Sequence, residues 1–206
     1  MSFGLWLGFL LAALLIAVTP GPGAVVSMST GMRYGYCSAL MVILGLQAAI
    51  LIHLLIVAVG LGALLASSEL AFSVVKLVGA AYLVWLGIQK WRAPVVAADE
   101  EVLPLRRQGL FLQGLLVNLT NPKAIVFIGA LVPQFVNPSA PQLPQYLLIS
   151  ATLCLTDMLV MSGYALAALR LGRWLHDPKA IRTQNRLFGG LFISAGTFLA
   201  FSSRPS

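Results

Sequence analysis

The sequence predicts an all-α membrane protein of six transmembrane helices, arranged as 3 + 3 inverted repeats with helices one and four broken at proline. Three observations carry that prediction. Of 206 residues, 59% are hydrophobic and 9% charged, whereas soluble domains are roughly 45–50% apolar and about 25% charged. The apolar residues fall in runs long enough for helical bilayer crossings, which take about 20 residues each. The basic residues gather in alternate connections between those runs. A large soluble catalytic domain is thereby excluded. The net charge of +7 fits Lys and Arg in cytoplasmic loops better than a nucleic-acid surface, so lipid is an expected partner and nucleic acid is not.

The first run, 3–32, has nothing basic before it, and the first Arg is Arg33. It is expected to remain as a span and not to be removed as a signal peptide. Its interior is interrupted by Thr19-Pro20-Gly21-Pro22. The second run, 38–66, carries Gln47 and His53; the third, 70–91, holds Lys76 close enough to one end to snorkel and finishes at Trp91. Next comes 93–108, with Asp99, Glu100, Glu101, Arg106 and Arg107, the one stretch with the charge of a solvated linker. The fourth run, 110–136, contains Asn121-Pro122-Lys123, and an uncharged loop with Pro138, Pro141 and Pro144 follows it. The fifth run, 146–171, contains Asp157, with Trp174 just beyond it, and the sixth is 187–201. Trp91 and Trp174 fit an interfacial belt.

The connections after spans one, three and five hold ten of the 13 basic residues, from Arg33 through Lys90 and Arg92 to Arg186. The positive-inside rule makes those connections cytoplasmic and puts both termini outside. The chain then reads as one transmembrane domain over 1–206, with repeat one at 1–92, the linker at 93–108 and repeat two at 109–206. Gly21-Pro22-Gly23-Ala24 aligns with Asn121-Pro122-Lys123-Ala124 at a separation of 100 residues, and Lys76 and Gly79 resemble Arg186 and Gly189. Three crossings per half invert the second copy, a design found in secondary transporters with a midplane site.

Each break repeats a helix-start pattern, a capping Thr or Asn followed by a Pro that needs no N–H in the first turn. Two half-helices should begin inside the membrane, their free N–H groups and positive dipole ends suited to a carboxylate. A proline can instead merely kink a membrane helix; the matched pair favours a site. Lys123 lies about 13 residues from either end of its span, roughly 20 Å of helix, too deep to snorkel easily. So deep a charge is by default functional, with a partner to be named. Asp157, the only acidic residue deep in an apolar run, is that partner, directly or through the opposite ends of a zwitterion; a structural ion pair is the plainer alternative. Tyr164 and Ser150 lie seven residues either side of Asp157 and share its helical face. Gln47 can serve as interhelical glue, and His53 as a core hydrogen-bonding group or a titrating one. Gly4 with Gly8, and Gly31 with Gly35, have the spacing of close helix contacts. Cys37 and Cys154 lack metal or redox spacing and read as small core residues.

Enzyme templates are missing: there is no Gly-x-Ser-x-Gly, His-Glu-x-x-His, phosphate loop or dinucleotide fingerprint. With two histidines, one of them the loop residue His176, a metal cluster is hard to assemble and no cofactor is expected.

TPGP in span one, KLVGAAYLVWLG in span three, NPKA in span four and the Asp of span five together resemble the lysine-exporter superfamily of amino-acid efflux carriers, over essentially the whole chain. GLQAAILIHLLIVAVGLGALL, LVGAAYLVWLGIQKWRA, VNLTNPKAIVF, PQF and PQLPQY resemble its homoserine/homoserine lactone exporter branch. Pro22 stands where that branch also tolerates Ser, which leaves the break in place. The resemblance implies a bacterial inner-membrane exporter of small amino acids such as homoserine, its lactone or threonine, driven by the proton gradient, and allows a homodimer. On this reading Thr19, Pro20, Gly21, Pro22, Asn121, Pro122, Lys123, Gln47 and Tyr164 bind substrate, and Asp157 and His53 couple to protons. Another amino acid, a passive channel or accessory subunit, and an intramembrane enzyme are the competing readings.

Overall fold

The computed structural model describes residues 1–67, 69–93, 109–137, 139–171 and 178–201. Proline dictates where its first helix stops. Helix α1 (Phe3–Val18) starts at Ser2, whose hydroxyl accepts from the Leu5 N–H at 3.3 Å. It ends because Pro20 has no N–H to continue the ladder and forces Thr19 into an extended conformation, φ −73° and ψ 114°. Helix α2 (Pro22–Tyr34) restarts with Pro22 in its first turn, bent by 55° from α1. Helix α3 (Tyr36–Ser67) and helix α4 (Glu69–Arg92) follow.

The second break copies the first. Helix α5 (Leu110–Leu119) stops at Thr120, and α6 (Pro122–Val126) begins at an angle that again bends the pair by 55°. Beyond α6 the chain widens into a π turn at Phe127–Leu131 and tightens to a 3-10 turn at Val132–Phe135. Pro133 explains the irregularity, since it offers no N–H to the carbonyl of Gly129 one turn back. Helix α7 (Gln142–Leu171) and helix α8 (Pro178–Phe201) complete the chain. Helix α8 starts nine residues before the apolar run at 187, because Pro178 suits a first turn and the basic residues after it are good helix formers.

Among the described residues every regular element is helical, as expected. Two helices are long and apolar enough to cross a membrane, α3 and α7, and four if each bent pair counts as one span. Leu7, Leu11, Leu14 and Val18 on α1, Leu51, Leu55 and Val59 on α3, and Leu155, Leu159 and Leu166 on α7 are exposed at helical spacing. Apolar stripes of that extent suit lipid, not water. Most of the predicted linker, together with Trp174 and His176, lies outside the described residues.

Of the glycines the spacing suggested, Gly31 makes a close crossing, its Cβ position 3.0 Å from the Ala165 carbonyl on α7; the tightest crossings occur at others. A Cβ on Gly45 would strike the Phe111 carbonyl and one on Gly114 the Val42 carbonyl, locking α3 to α5; one on Gly87 would meet the Gly189 carbonyl at 2.7 Å and the reverse holds equally, locking α4 to α8. Gly4 and Gly35 have nothing within 4 Å, and Gly79 lies against Ala130, not in a position matching Gly189. Cys37 is exposed and so not a core residue, whereas Cys154 is half-buried and packs against the main apolar cluster. Spacing alone identifies a small-residue stripe but not the neighbour it meets.

Besides a small contact of Val26, Val42 and Leu110, two apolar clusters fill the interior. The larger, around Phe9, Ile16, Leu54, Val132, Ile149 and Phe192, lies towards the end of the bundle that holds Met1, and includes Phe135 edge-on to Phe9 at 5.2 Å. The smaller, around Ala24, Ile43, Leu46 and Met161, lies on the other side of the breaks. The polar residues of the apolar runs collect between the two.

Candidate functional site

The end of α1 leaves carbonyls without helical partners and carries the negative end of the helix dipole. Lys123 answers both. Its Nζ reaches from α6 to donate to the carbonyls of Ile16 at 3.0 Å and Thr19 at 2.7 Å. Tyr164, from α7, donates its hydroxyl to the Val18 carbonyl at 2.5 Å, and the Thr19 hydroxyl donates to the Leu15 carbonyl at 2.8 Å. The Lys123 side chain runs alongside Gly21, where a Cβ would stand in contact, 3.4 Å from both Cε and Nζ, and anything longer would collide. The first break is therefore fastened by a side chain from the second.

The half-helix N-termini differ. At α6 the Asn121 carboxamide oxygen accepts the Lys123 N–H at 3.0 Å, while its nitrogen donates to Asn118 Oδ1 at 3.3 Å. Asn118 in turn donates to the Leu46 carbonyl at 3.0 Å, tying the break to α3. At α2 no side chain caps the turn that follows Gly21. The N–H groups of Gly23 and Ala24, in the first turn, have no intrahelical acceptor. Of the two positive helix ends, that of α2 is the one left open to an anion.

Asp157 accepts a hydrogen bond from Gln47 Nε2 at 2.8 Å, linking α7 to α3. The other polar atom of Gln47, Oε1, is buried and unpartnered among the described residues. Asp157, Lys123, Asn118, Asn121, Gly23 and Ala24 share an inner cavity of about 50 Å³ whose other walls, Thr156 apart, are apolar. That volume accommodates a few waters but not an amino acid. Lys123 and Asp157 thus face one cavity, but they form no direct ion pair: the ammonium is occupied by carbonyls and the carboxylate by an amide.

His53 and Tyr164 are not in the wall of this cavity. His53 is buried near the Leu119 backbone with Nδ1 unpartnered among the described residues. Ser150 donates to the Tyr146 carbonyl of its own helix at 2.7 Å and is likewise absent from the wall. The shared face of α7 does not, in this structure, form a continuous polar lining.

A second, larger cavity of about 300 Å³ lies against both breaks, with Thr19, Pro20, Gly21, Pro22, Pro122 and Lys123 in its wall. Gln89 and Lys90 of α4 complete it. Sequence reasoning assigned Lys90 to the basic connection after span three and missed this placement. Asn121 and Lys123 are the two residues that line both cavities. No group of His, Cys, Asp or Glu able to hold a metal occurs among the described residues.

Residues 14–203 match the family described as LysE type translocator. Two homoserine/homoserine lactone efflux proteins, from Salmonella typhimurium and Salmonella typhi, are each 45% identical over 201 residues, covering 97% of this chain and 98% of theirs. An uncharacterized membrane protein of Vibrio cholerae is 44% identical over 202 residues, with the same coverage. No solved structure matches the chain.

Proposed function

Because the chain belongs to the LysE type translocators, and is a multi-pass membrane transporter and not an enzyme, we propose that it exports small amino acids of the homoserine class across the bacterial inner membrane in exchange for protons. Homoserine, its lactone and threonine are the proposed cargo, by similarity to the homoserine/homoserine lactone efflux proteins. The observation that carries the mechanism is the inner cavity, which brings Asp157 together with the open N-terminus of α2. A zwitterion needs an anion for its ammonium and N–H donors or a cation for its carboxylate; this cavity supplies Asp157 for one and the Gly23 and Ala24 amides beside Lys123 for the other.

The six spans are α1 with α2, α3, α4, α5 with α6, α7 and α8, with both termini periplasmic and the basic connections cytoplasmic. Substrate reaches ionised Asp157 from the cytoplasm, the two repeats rock about the midplane, and a proton from the periplasm displaces the ammonium. Such competition couples the two fluxes because a nearby cation favours the ionised carboxylate and its departure favours the protonated one. The inner cavity is too small for the cargo as it stands, so binding requires the repeats to part. Asp157 is the coupling group, with His53 held in reserve since it lies off the cavity. No cofactor enters; the proton gradient is the driving force, and a homodimer is compatible with the scheme.

Counterflow of labelled homoserine, threonine and homoserine lactone in proteoliposomes, with and without a pH gradient, tests this function. Exchange without a gradient and uphill accumulation with one are expected. Equilibration that never becomes uphill would make the protein a channel.

A further inference from the structure

The two cavities differ in charge. The inner one is lined by Asp157, whereas the larger one has Lys90 and Lys123 in its wall and no acidic residue among the described ones. Lys90 is half-buried and has no acidic partner among the described residues. It shares that wall with Lys123. Gln89 and Asn121 add amide donors to the same wall. Lys90 lines a cavity of about 300 Å³ in which an anion stabilises its charge, and a half-buried site strengthens that attraction relative to bulk water.

We propose that this larger cavity is a loading station for the carboxylate end of the cargo, with Lys90 as its anchor. The inference rests on the export reading for the identity of the cargo, though not for the chemistry of the site. A small carboxylate held by Lys90 and Gln89 lies on one side of the wall formed by Asn121 and Lys123; Asp157 lies on the other. An amino acid bound there is oriented by the field with its ammonium towards Asp157 and its carboxylate behind. Lys90 is then a specificity residue: it distinguishes molecules with a free carboxylate from those without one. Homoserine lactone keeps the amine but has no carboxylate, so it passes without using the anchor.

The test has two parts. In proteoliposomes, Lys90→Gln should raise KM for homoserine about tenfold, the loss expected for one charge-assisted hydrogen bond, while changing KM for the lactone less than about twofold; Lys90→Arg should restore homoserine. In purified protein, labelling of Lys90 by an amine-reactive reagent, read by mass spectrometry, should be slowed by homoserine and by acetate but not by the lactone. Equal changes in KM for both cargoes, or labelling indifferent to every carboxylate, would overturn the station. Protection by carboxylates in a protein that moves no amino acid would leave the station standing and defeat the export reading. Export with an unchanged homoserine KM in Lys90→Gln would do the reverse.

Discussion

Gln47 donates to the carboxylate of Asp157 at 2.8 Å across the packing of α3 on α7, and its own carbonyl oxygen is buried with no donor among the described residues. An amide whose acceptor is unused in a buried place carries a cost of about 1–3 kcal/mol. Gln47 stands behind Asp157, outside the wall of the inner cavity, so it acts on cargo through the carboxylate it holds. Gln47 is thus positioned to present the carboxylate.

Asp157→Asn preserves the size of the side chain and its ability to bond Gln47, but removes the charge that an ammonium and a proton compete for. It should eliminate uphill, proton-driven accumulation in inverted vesicles and retain slow downhill exchange. Unimpaired accumulation would move the proton to His53 or elsewhere. Gln47→Leu, which leaves Asp157 without its amide, should weaken cargo binding about tenfold, in line with the loss of one hydrogen bond to a charged group, measured as KM in counterflow.

Lys123→Ala strips the donor from the carbonyls of Ile16 and Thr19. At about 1.5–3 kcal/mol for each hydrogen bond to a charged group, the loss is roughly 3–6 kcal/mol. Tyr164→Phe removes one neutral bond, worth about 1 kcal/mol. The thermal midpoint of the purified protein should fall much further for Lys123→Ala than for Tyr164→Phe. Because the effect passes through the break and not through a contact with cargo, Lys123→Ala should impair homoserine and lactone export alike, in contrast to Lys90→Gln. Selective loss of homoserine would mean that Lys123 leaves its carbonyls to hold the carboxylate.

At Gly21 a graded series is expected. Gly21→Ala places a methyl at ordinary contact, 3.4 Å from the Lys123 Nζ, and should transport at near the parental rate. Gly21→Leu cannot fit without expelling Lys123, and should abolish export while the protein still accumulates in the membrane. Pro122→Leu should also abolish export, because it removes the residue that starts α6 afresh. Export assays paired with membrane immunoblots separate these losses from failure to fold. Full export by Gly21→Leu would reduce the first break to a kink.

Orientation is tested at Ala98. A cysteine placed there in a variant lacking Cys37 and Cys154 should be labelled from the cytoplasmic side alone; labelling by an impermeant reagent in intact cells would invert or break the six-span topology. The native cysteines must go first, since Cys37 is exposed.

The breaks were legible because proline acts locally: Pro20, Pro22 and Pro122 end and restart helices whatever surrounds them. The helical class followed from composition in the same way. The partners were not legible, because they depend on which helices adjoin. Lys123 and Asp157, as the two deep opposite charges, suggested a pair, yet the nearest unsatisfied groups to Lys123 are backbone carbonyls, which no residue pattern displays. Lys90 looked like one more cytoplasmic basic residue; only the meeting of the α4 end with both breaks turns it inward. Its signal in the sequence was faint, a Gln-Lys pair one residue before Trp91. Asn118 could have been found, as an Asn three residues before a capping Asn in an apolar run.

Asn121 and Lys123 line both cavities, so the partition between the two is a side chain thick. A carrier that spends a proton gradient dissipates it if water can cross while no cargo is aboard. Pulling the ammonium off two carbonyls without offering it a replacement acceptor slows such an opening by roughly 10²–10⁴-fold. The same side chain that fastens the first half-helix therefore keeps the partition shut in an empty carrier, and tightness against idle leakage becomes a property of where one lysine is parked.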